Sequence, residues 1–134
     1  MLDASMAAAF VFADEQTEAA LAIMQRVTIE GAVVPSLWHL EIASIFRIAE
    51  RRGRCDAALA DAFLELLARL PIEVDRETNL HAWHTTRALS RDHGLTPYDA
   101  AYLELAMRLG LPLASGDREL LHAARQLDVP VLTP

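Results

Sequence analysis

Apolar positions along the chain follow two rhythms that alternate from one end to the other. Short apolar runs of strand length occur at 1–3, 32–34, 72–74, 111–114 and 129–132. Beside each lies a longer stretch in which apolar residues recur every three or four positions, the spacing of one helix face. These helical stretches are 5–12, 15–28, 36–52, 56–70, 76–93, 96–109 and 117–127. Gly53, Gly94 and Gly110 close three of them, where a helix commonly ends in a left-handed residue. Strands separated by helices predict an α/β chain in three layers, a parallel sheet of about five strands with helices on both faces. In such sheets, ligands gather outside the carboxyl ends of the strands.

No repeat, low-complexity tract or linker interrupts this pattern, so residues 1–134 read as one domain. With 53% hydrophobic residues the chain can bury a core. The opening MLDASMAAAFVFADE has the apolar run of a signal peptide but no basic start, and Asp3 precedes the run; it reads as folded protein. No apolar run approaches the roughly 20 residues that cross a bilayer, and no membrane partner is expected. The single Cys55 cannot form an internal disulfide and no Cys/His cluster has zinc-site spacing, which fits a reducing cytoplasm. The net charge of -7 argues at first sight against a polyanionic partner, since nucleic-acid binders usually carry a basic face, though net charge says nothing about distribution. Yet all 12 basic residues are arginine, and Arg47, Arg51, Arg52 and Arg54 crowd into the stretch FRIAERRGR.

The chemistry-bearing candidates are acids. In LTPYDAAYLELA, Thr96 suits a helix N-cap, Pro97 the first helical position, and Asp99 the place three residues after the cap where a carboxylate meets free backbone N–H groups. Asp99 also stands on the face of Tyr102, Leu103 and Ala106, the oily side of the same helix. Asp3 ends the first apolar run, with Ser5 two positions on, and Asp117 follows the fourth in LPLASGDREL, beside Ser115. Both sit at the carboxyl edge of the predicted sheet, and both also read as helix caps. Glu41 has no such explanation: in SLWHLEIASIFRIAE it lies in the second turn, on the face of Leu37, Trp38, Ile45 and Ile48. A carboxylate buried there must be protonated, paired with a cation or bound to a metal. An arginine accounts for one such acid; a shared cation accounts more economically for several. Oxygen-only ligation suits a hard ion, Mg²⁺ or Mn²⁺, and such sites serve phosphoryl chemistry.

The order Asp in LDAS, Glu in PSLWHLEIAS, Asp in LTPYDAAYLELA and Asp in LASGD closely resembles PIN-domain ribonucleases, in particular the VapC toxins of bacterial toxin–antitoxin pairs. The resemblance covers nearly the whole chain, and TPYDAAYLELA is its most specific piece. It implies a five-stranded parallel sheet, a quartet of acids holding one or two divalent cations, and endonucleolytic cleavage of RNA. On this resemblance Asp3, Glu41, Asp99 and Asp117 are the catalytic, metal-holding residues, with Ser5 and Ser115 as polar helpers. It further implies a homodimer held inactive by a small antitoxin protein. A threonine is more usual where Ser115 stands, and the first strand here starts almost at Met1.

Response-regulator receivers and haloacid-dehalogenase-like phosphatases also place aspartates at parallel strand ends, but their motifs include a phosphoryl-contacting lysine and this chain has none. A PIN-like RNA-processing nuclease outside a toxin pair, and a non-catalytic interaction module that retains the fold, stay as alternatives. Met6, Phe10, Phe12 and Met24 lie in two short, strongly apolar helical segments; they read as core, or as a groove through which the chain meets itself and an antitoxin. Trp38 and Trp83 read as packing anchors rather than base-stacking platforms. His81 and His84 share a helix face and read as surface or core-edge hydrogen bonders, with no site assigned to them.

Overall fold

In a computed structural model, which describes residues 1–12 and 16–134, the alternating rhythm becomes a sheet of short parallel strands threaded between helices. Strand β1 (Ala32–Val34) pairs in parallel with β2 (Ile72–Val74), and β3 (Leu113–Ala114) with β4 (Val131–Leu132). The N-terminal segment joins the two pairs. Leu2 donates its N–H to the Val33 carbonyl at 3.3 Å on one side and bridges Ala114 in parallel on the other. There Asp3 N–H reaches the Ala114 carbonyl at 3.0 Å, and Ala114 N–H the Met1 carbonyl at 2.9 Å. The order across the sheet is therefore β2, β1, residues 1–3, β3, β4, and the fold is the three-layer α/β arrangement that the periodicity predicts.

Strands β1 and β2 keep the expected bounds, whereas the other three are shorter than expected, for local reasons. Residues 1–3 form a single bridge, because helix α1 (Ala4–Ala9) starts straight after Asp3. The runs at 111–114 and 129–132 contract to two residues each, behind Pro112 and Pro130, which have no N–H to give a ladder. Pro130 still lends its carbonyl to Leu113 N–H at 2.8 Å. Gly31, at φ 79°, leads into β1 so close to Pro71 that a Cβ there would stand 2.7 Å from the Pro71 carbonyl oxygen. Only glycine fits such an approach.

Helices α2 (Glu18–Glu30), α3 (Trp38–Arg51) and α4 (Ala57–Ala68) follow the predicted pattern. The expected start of the second helical stretch, Glu15, lies outside the described residues. The stretch 76–93 differs in kind: α5 (Thr78–His81) and α6 (Arg87–His93) flank a π-helical segment, Ala82–Thr86. Then come α7 (Pro97–Leu109) and α8 (Arg118–Gln126). All residues of α7 from Ala100 to Ala106 are buried, so it is a central helix, covered all round.

Met6, Phe10 and Phe12 are buried in this core with Leu2, Val34 and Leu103, which removes them from the partner groove that their apolar character suggested; Met24 packs at its margin. The first helix is also shorter than expected, ending at Ala9, so Phe10 and Phe12 lie beyond it. The two tryptophans part company. Trp38 is buried as an anchor, whereas Trp83, on the π-helical segment, is 85% exposed and so is not the packing anchor that the sequence suggested. Among the described residues no helix is long and apolar enough to cross a membrane.

Candidate active site

The chain turns from the bridge at Leu2 into α1, and at that turn Asp3 stands at the carboxyl edge of the sheet, only 5% exposed. It occupies the N-cap position of α1, but its side chain makes no capping hydrogen bond. Its Oδ2 instead accepts from two hydroxyls, Ser115 Oγ at 2.7 Å and Ser5 Oγ. Both serines are themselves oriented by backbone: Gly116 N–H donates to Ser5 Oγ and Asp117 N–H to Ser115 Oγ, each at 3.0 Å. With an acceptor site on each hydroxyl already occupied, the hydroxyl protons are directed at Asp3. Burial pushes the Asp3 carboxyl above its ordinary range, the two serines pull it back, and the negative charge of Asp99 pushes it up again.

Glu41 enters half-buried from the first turn of α3, not the second turn that the sequence suggested, because the helix starts at Trp38 rather than Ser36. Its Oε2 accepts from the phenol of Tyr102, a fully buried residue of α7. Burial raises the Glu41 carboxyl, the Tyr102 hydrogen bond lowers it, and the charges of Asp3 and Asp99 raise it further. The Tyr102 phenol is driven strongly upward, first by burial and then by its bond to Glu41, so it stays a donor. Asp99 completes a group of three acids that feel one another. Thr96 caps α7 as predicted, accepting from Asp99 N–H at 3.1 Å, but the Asp99 carboxylate takes the Thr96 hydroxyl, at 2.6 Å to Oδ2, where the sequence suggested a backbone N–H.

Asp117 is placed differently. Its Oδ1 accepts from Leu120 N–H at 2.8 Å, so it does cap α8, and its link to the other acids runs through its own backbone N–H, Ser115 and Asp3. The structure thus puts Asp3, Glu41 and Asp99 within electrostatic reach, with Ser5 and Ser115 on Asp3, and joins Asp117 through its backbone. Among the described residues, no three His, Cys, Asp or Glu side chains are gathered tightly enough to hold an ion as they stand.

The donor set nevertheless fits a divalent cation. Among the described residues none of Asp3, Glu41 and Asp99 has an arginine or histidine within ion-pair distance, although arginines pair with Glu30, Glu50, Asp75, Asp92 and Glu104 elsewhere. Asp3 and Glu41, raised by burial and further by the Asp99 charge, and Asp99 beside them offer only oxygen ligands, the chemistry that hard cations select. Tyr102 is the residue of this site that sequence reasoning passed over. Its signal was present, three residues after Asp99 on the same helix face, but it was read as part of the oily side.

A second polar network, missed in the sequence, lies at the end of β2. Arg108 of α7 donates to Asp75 at 2.9 Å, Glu104 at 2.9 Å and Glu77 at 3.5 Å, while Thr78 donates to Asp75 at 2.7 Å. His81 Nδ1 stands 3.5 Å from Glu104, so His81 is a core-edge residue, and His84 is exposed. The i,i+4 spacing of Glu104 and Arg108 was the available signal.

A search of curated protein sequences finds no match for the chain. Among solved structures, the crystal structure of PAE2754 from Pyrobaculum aerophilum superposes with a TM-score of 0.70 at 25% identity, over 98% of this chain and 88% of that one. The sequence profile of the PIN domain matches residues 1–126, which takes in Asp3, Glu41, Asp99 and Asp117 together. The chain therefore belongs to the PIN-domain family, a nuclease fold whose members are generally metal-dependent ribonucleases.

Proposed function

We propose that the protein is a divalent-cation-dependent endoribonuclease, and that it serves as the toxin of a toxin–antitoxin pair. The observation that carries the enzymatic part is the Asp3 carboxylate, raised by burial and by the charge of Asp99, held by Ser5 and Ser115, and without a basic residue in ion-pair distance among the described residues. Asp3, Glu41 and Asp99 would hold Mg²⁺ or Mn²⁺, with Asp117 at the rim. The chemistry supplied by a bound cation is neutralisation of charge on the scissile phosphate and activation of water for attack. The chain's own residues prepare for it. Ser5 and Ser115 fix which way the Asp3 carboxylate faces, and Tyr102 does the same for Glu41 from the opposite wall. Thr96 occupies one oxygen of Asp99 and leaves the other for the site. Asp117, by capping α8, keeps the Ser115 turn in the position from which it reaches Asp3.

The toxin role, with RNA as substrate, an antitoxin as inhibitor and a homodimer as the working form, is supported by the resemblance of LTPYDAAYLELA and LASGD to VapC proteins. Since Met6, Phe10 and Phe12 are core, both partner contacts must use other surface.

One observation favours a second reading, a non-catalytic interaction module: no three ligating side chains are gathered around one point among the described residues. The same experiment separates the two. Purified protein is incubated with single-stranded and structured RNA over a series of Mn²⁺ and Mg²⁺ concentrations, beside an Asp99→Asn variant. Cation-dependent cleavage that the variant lacks supports the nuclease. No cleavage under any condition, with no heat on titrating Mn²⁺, sinks it and favours the module. For the toxin role, expression should arrest growth and co-expression of the neighbouring short reading frame should relieve it.

A further inference from the structure

Helix α3 carries Glu41 near its start and a knot of arginines at its end, and the helical repeat puts the two on one side. Residues 41, 45, 48 and 52 follow one another by four, three and four positions, the spacing of a single face. Arg52 follows Glu41 by eleven positions, about 16 Å at ~1.5 Å per residue. Along this face Glu41 and Ile45 are partly exposed, Ile48 is exposed, and Ile48, Arg51 and Arg52 line a concavity of 250 Å³. The end of the helix is rigid: Arg54 N–H returns to the Ala49 carbonyl at 2.9 Å, and Gly53, at φ 67°, donates to the Glu50 carbonyl at 3.0 Å.

The surrounding charges single out two of these arginines. Arg47 is engaged with Glu50 at 3.4 Å, and the Arg54 guanidinium lies 4.1 Å from the centre of the Phe12 ring. Arg51 and Arg52 are exposed and form no ion pair among the described residues, in a chain whose net charge is -7. A cation at a helix C-terminus favours the exposed carbonyls, which accounts for an arginine in the last turn. It does not account for two unpaired guanidinium groups around one hollow, on the face that leads back to the acids.

We infer that Arg51 and Arg52 form a phosphate anchor for the RNA strand being cut, holding its backbone along α3 at a distance from the scissile bond. The inference rests on the ribonuclease reading above and adds to it where the substrate runs. Guanidinium forks match phosphate oxygens, and the anchor acts on the backbone, so it is indifferent to base sequence. The separation of about 16 Å spans roughly five stacked nucleotides at ~3.4 Å each, fewer if the strand is extended. A substrate shorter than that span cannot touch acids and arginines at once.

The test compares the parent chain with an Arg51→Ser/Arg52→Ser variant on two substrates, a dinucleotide and an oligomer of about ten nucleotides. On the oligomer the variant should raise KM roughly tenfold with kcat unchanged, the pattern of lost binding rather than lost chemistry. Oligomer affinity without divalent cation should depend less on salt, its log–log slope falling by about 1.4, two phosphates at ~0.7 each for single strands. On the dinucleotide, parent and variant should cut alike. Equal KM and equal salt slope on the oligomer overturn the anchor and leave the patch to an acidic protein partner. An equal loss on both substrates also overturns it, because damage would then have spread to the acids. A parent chain that neither binds nor cuts RNA fails earlier, and overturns the ribonuclease reading itself.

Discussion

The phenol of Tyr102 on α7 donates its hydrogen bond to Oε2 of Glu41 on α3, and so ties together the two helices that bring acids to the site from different parts of the chain. A half-buried carboxylate that loses such a donor keeps its desolvation without its compensation. Tyr102→Phe removes only the hydroxyl. It should cost about 1.5–3 kcal/mol in denaturant unfolding, the range for a hydrogen bond to a charged group. It should also weaken Mn²⁺ binding about tenfold by calorimetry, as loss of a ligand's supporting hydrogen bond does. A purely structural tyrosine would lower stability and leave the Mn²⁺ affinity where it was.

Asp99 has both of the roles its position suggested within reach. Asn at this position keeps an oxygen to accept from Thr96, so Asp99→Asn should change stability by about 1 kcal/mol or less. Cleavage of RNA should nevertheless fall by orders of magnitude, because a ligand charge has gone. Matching rates for parent and variant on an RNA the parent cuts would return Asp99 to service as a cap alone.

The three acids repel one another when no cation is present, and the repulsion should be visible in melting curves. Mn²⁺ at about 100 times its Kd should stabilise the parent by ~2.7 kcal/mol, roughly 8 °C in Tm for a chain of this size. Asp3→Asn should melt at or above the parent in the absence of metal, and Mn²⁺ should shift it little. A variant that melts well below the parent without metal would mean that the Asp3 charge stabilises the fold rather than straining it.

The network at Arg108 should behave in the opposite way, because here a cation is built in. Burial would push the Asp75 carboxyl up, but hydrogen bonds from Arg108 and Thr78, together with the Arg108 charge, outweigh it and hold the group below its ordinary range. A carboxyl lowered in the folded state adds stability that is present above the unfolded pKa, about 4, and is lost as pH falls through the lower folded value. The parent should therefore lose this contribution only below about pH 4. Arg108→Met leaves Glu104, 4% exposed, and Asp75 without their arginine. It should cost about 3 kcal/mol at neutral pH, the low end for a broken buried pair since Arg108 itself is partly exposed. Its stability should rise, not fall, as the pH is lowered from 7 to about 5, because the stranded carboxyls can then take up protons. Urea midpoints across that range decide the sign.

Much of this site was legible along the chain because its parts obey local rules. Thr96, Pro97 and Asp99 sit where a helix start needs them, and the structure has that start in place. Glu41 stood out because a helix starting at Ser36 gave it no local role; the helix starts at Trp38, which puts Glu41 in the first turn, where an acid also meets the positive helix end. The cap readings of Asp3 and Asp117 could not be told apart in the sequence, since both follow an apolar run and precede a helix. The structure separates them: Asp117 caps α8, while Asp3 makes no capping hydrogen bond and accepts from the hydroxyls of Ser5 and Ser115. Ser115 follows Asp3 by more than a hundred positions, and no periodicity relates them.

By itself, then, the sequence determined the alternation of strands and helices, the starts and stops written in Thr96, Pro97, Gly94 and Gly110, and the acids that stand at strand ends or on an oily face. Those are consequences of backbone geometry and side-chain period, which act over a turn or two. Only the tertiary structure decided that Met6, Phe10 and Phe12 are core while Trp83 is bare, that residues 1–3 make a bridge between two strand pairs, and that Tyr102 serves Glu41. It also decided that Arg108 neutralises Asp75 and Glu104, whereas Asp3, Glu41 and Asp99 meet without a basic neighbour among the described residues. Burial and pairing depend on which elements pack together, and that depends on the whole chain at once.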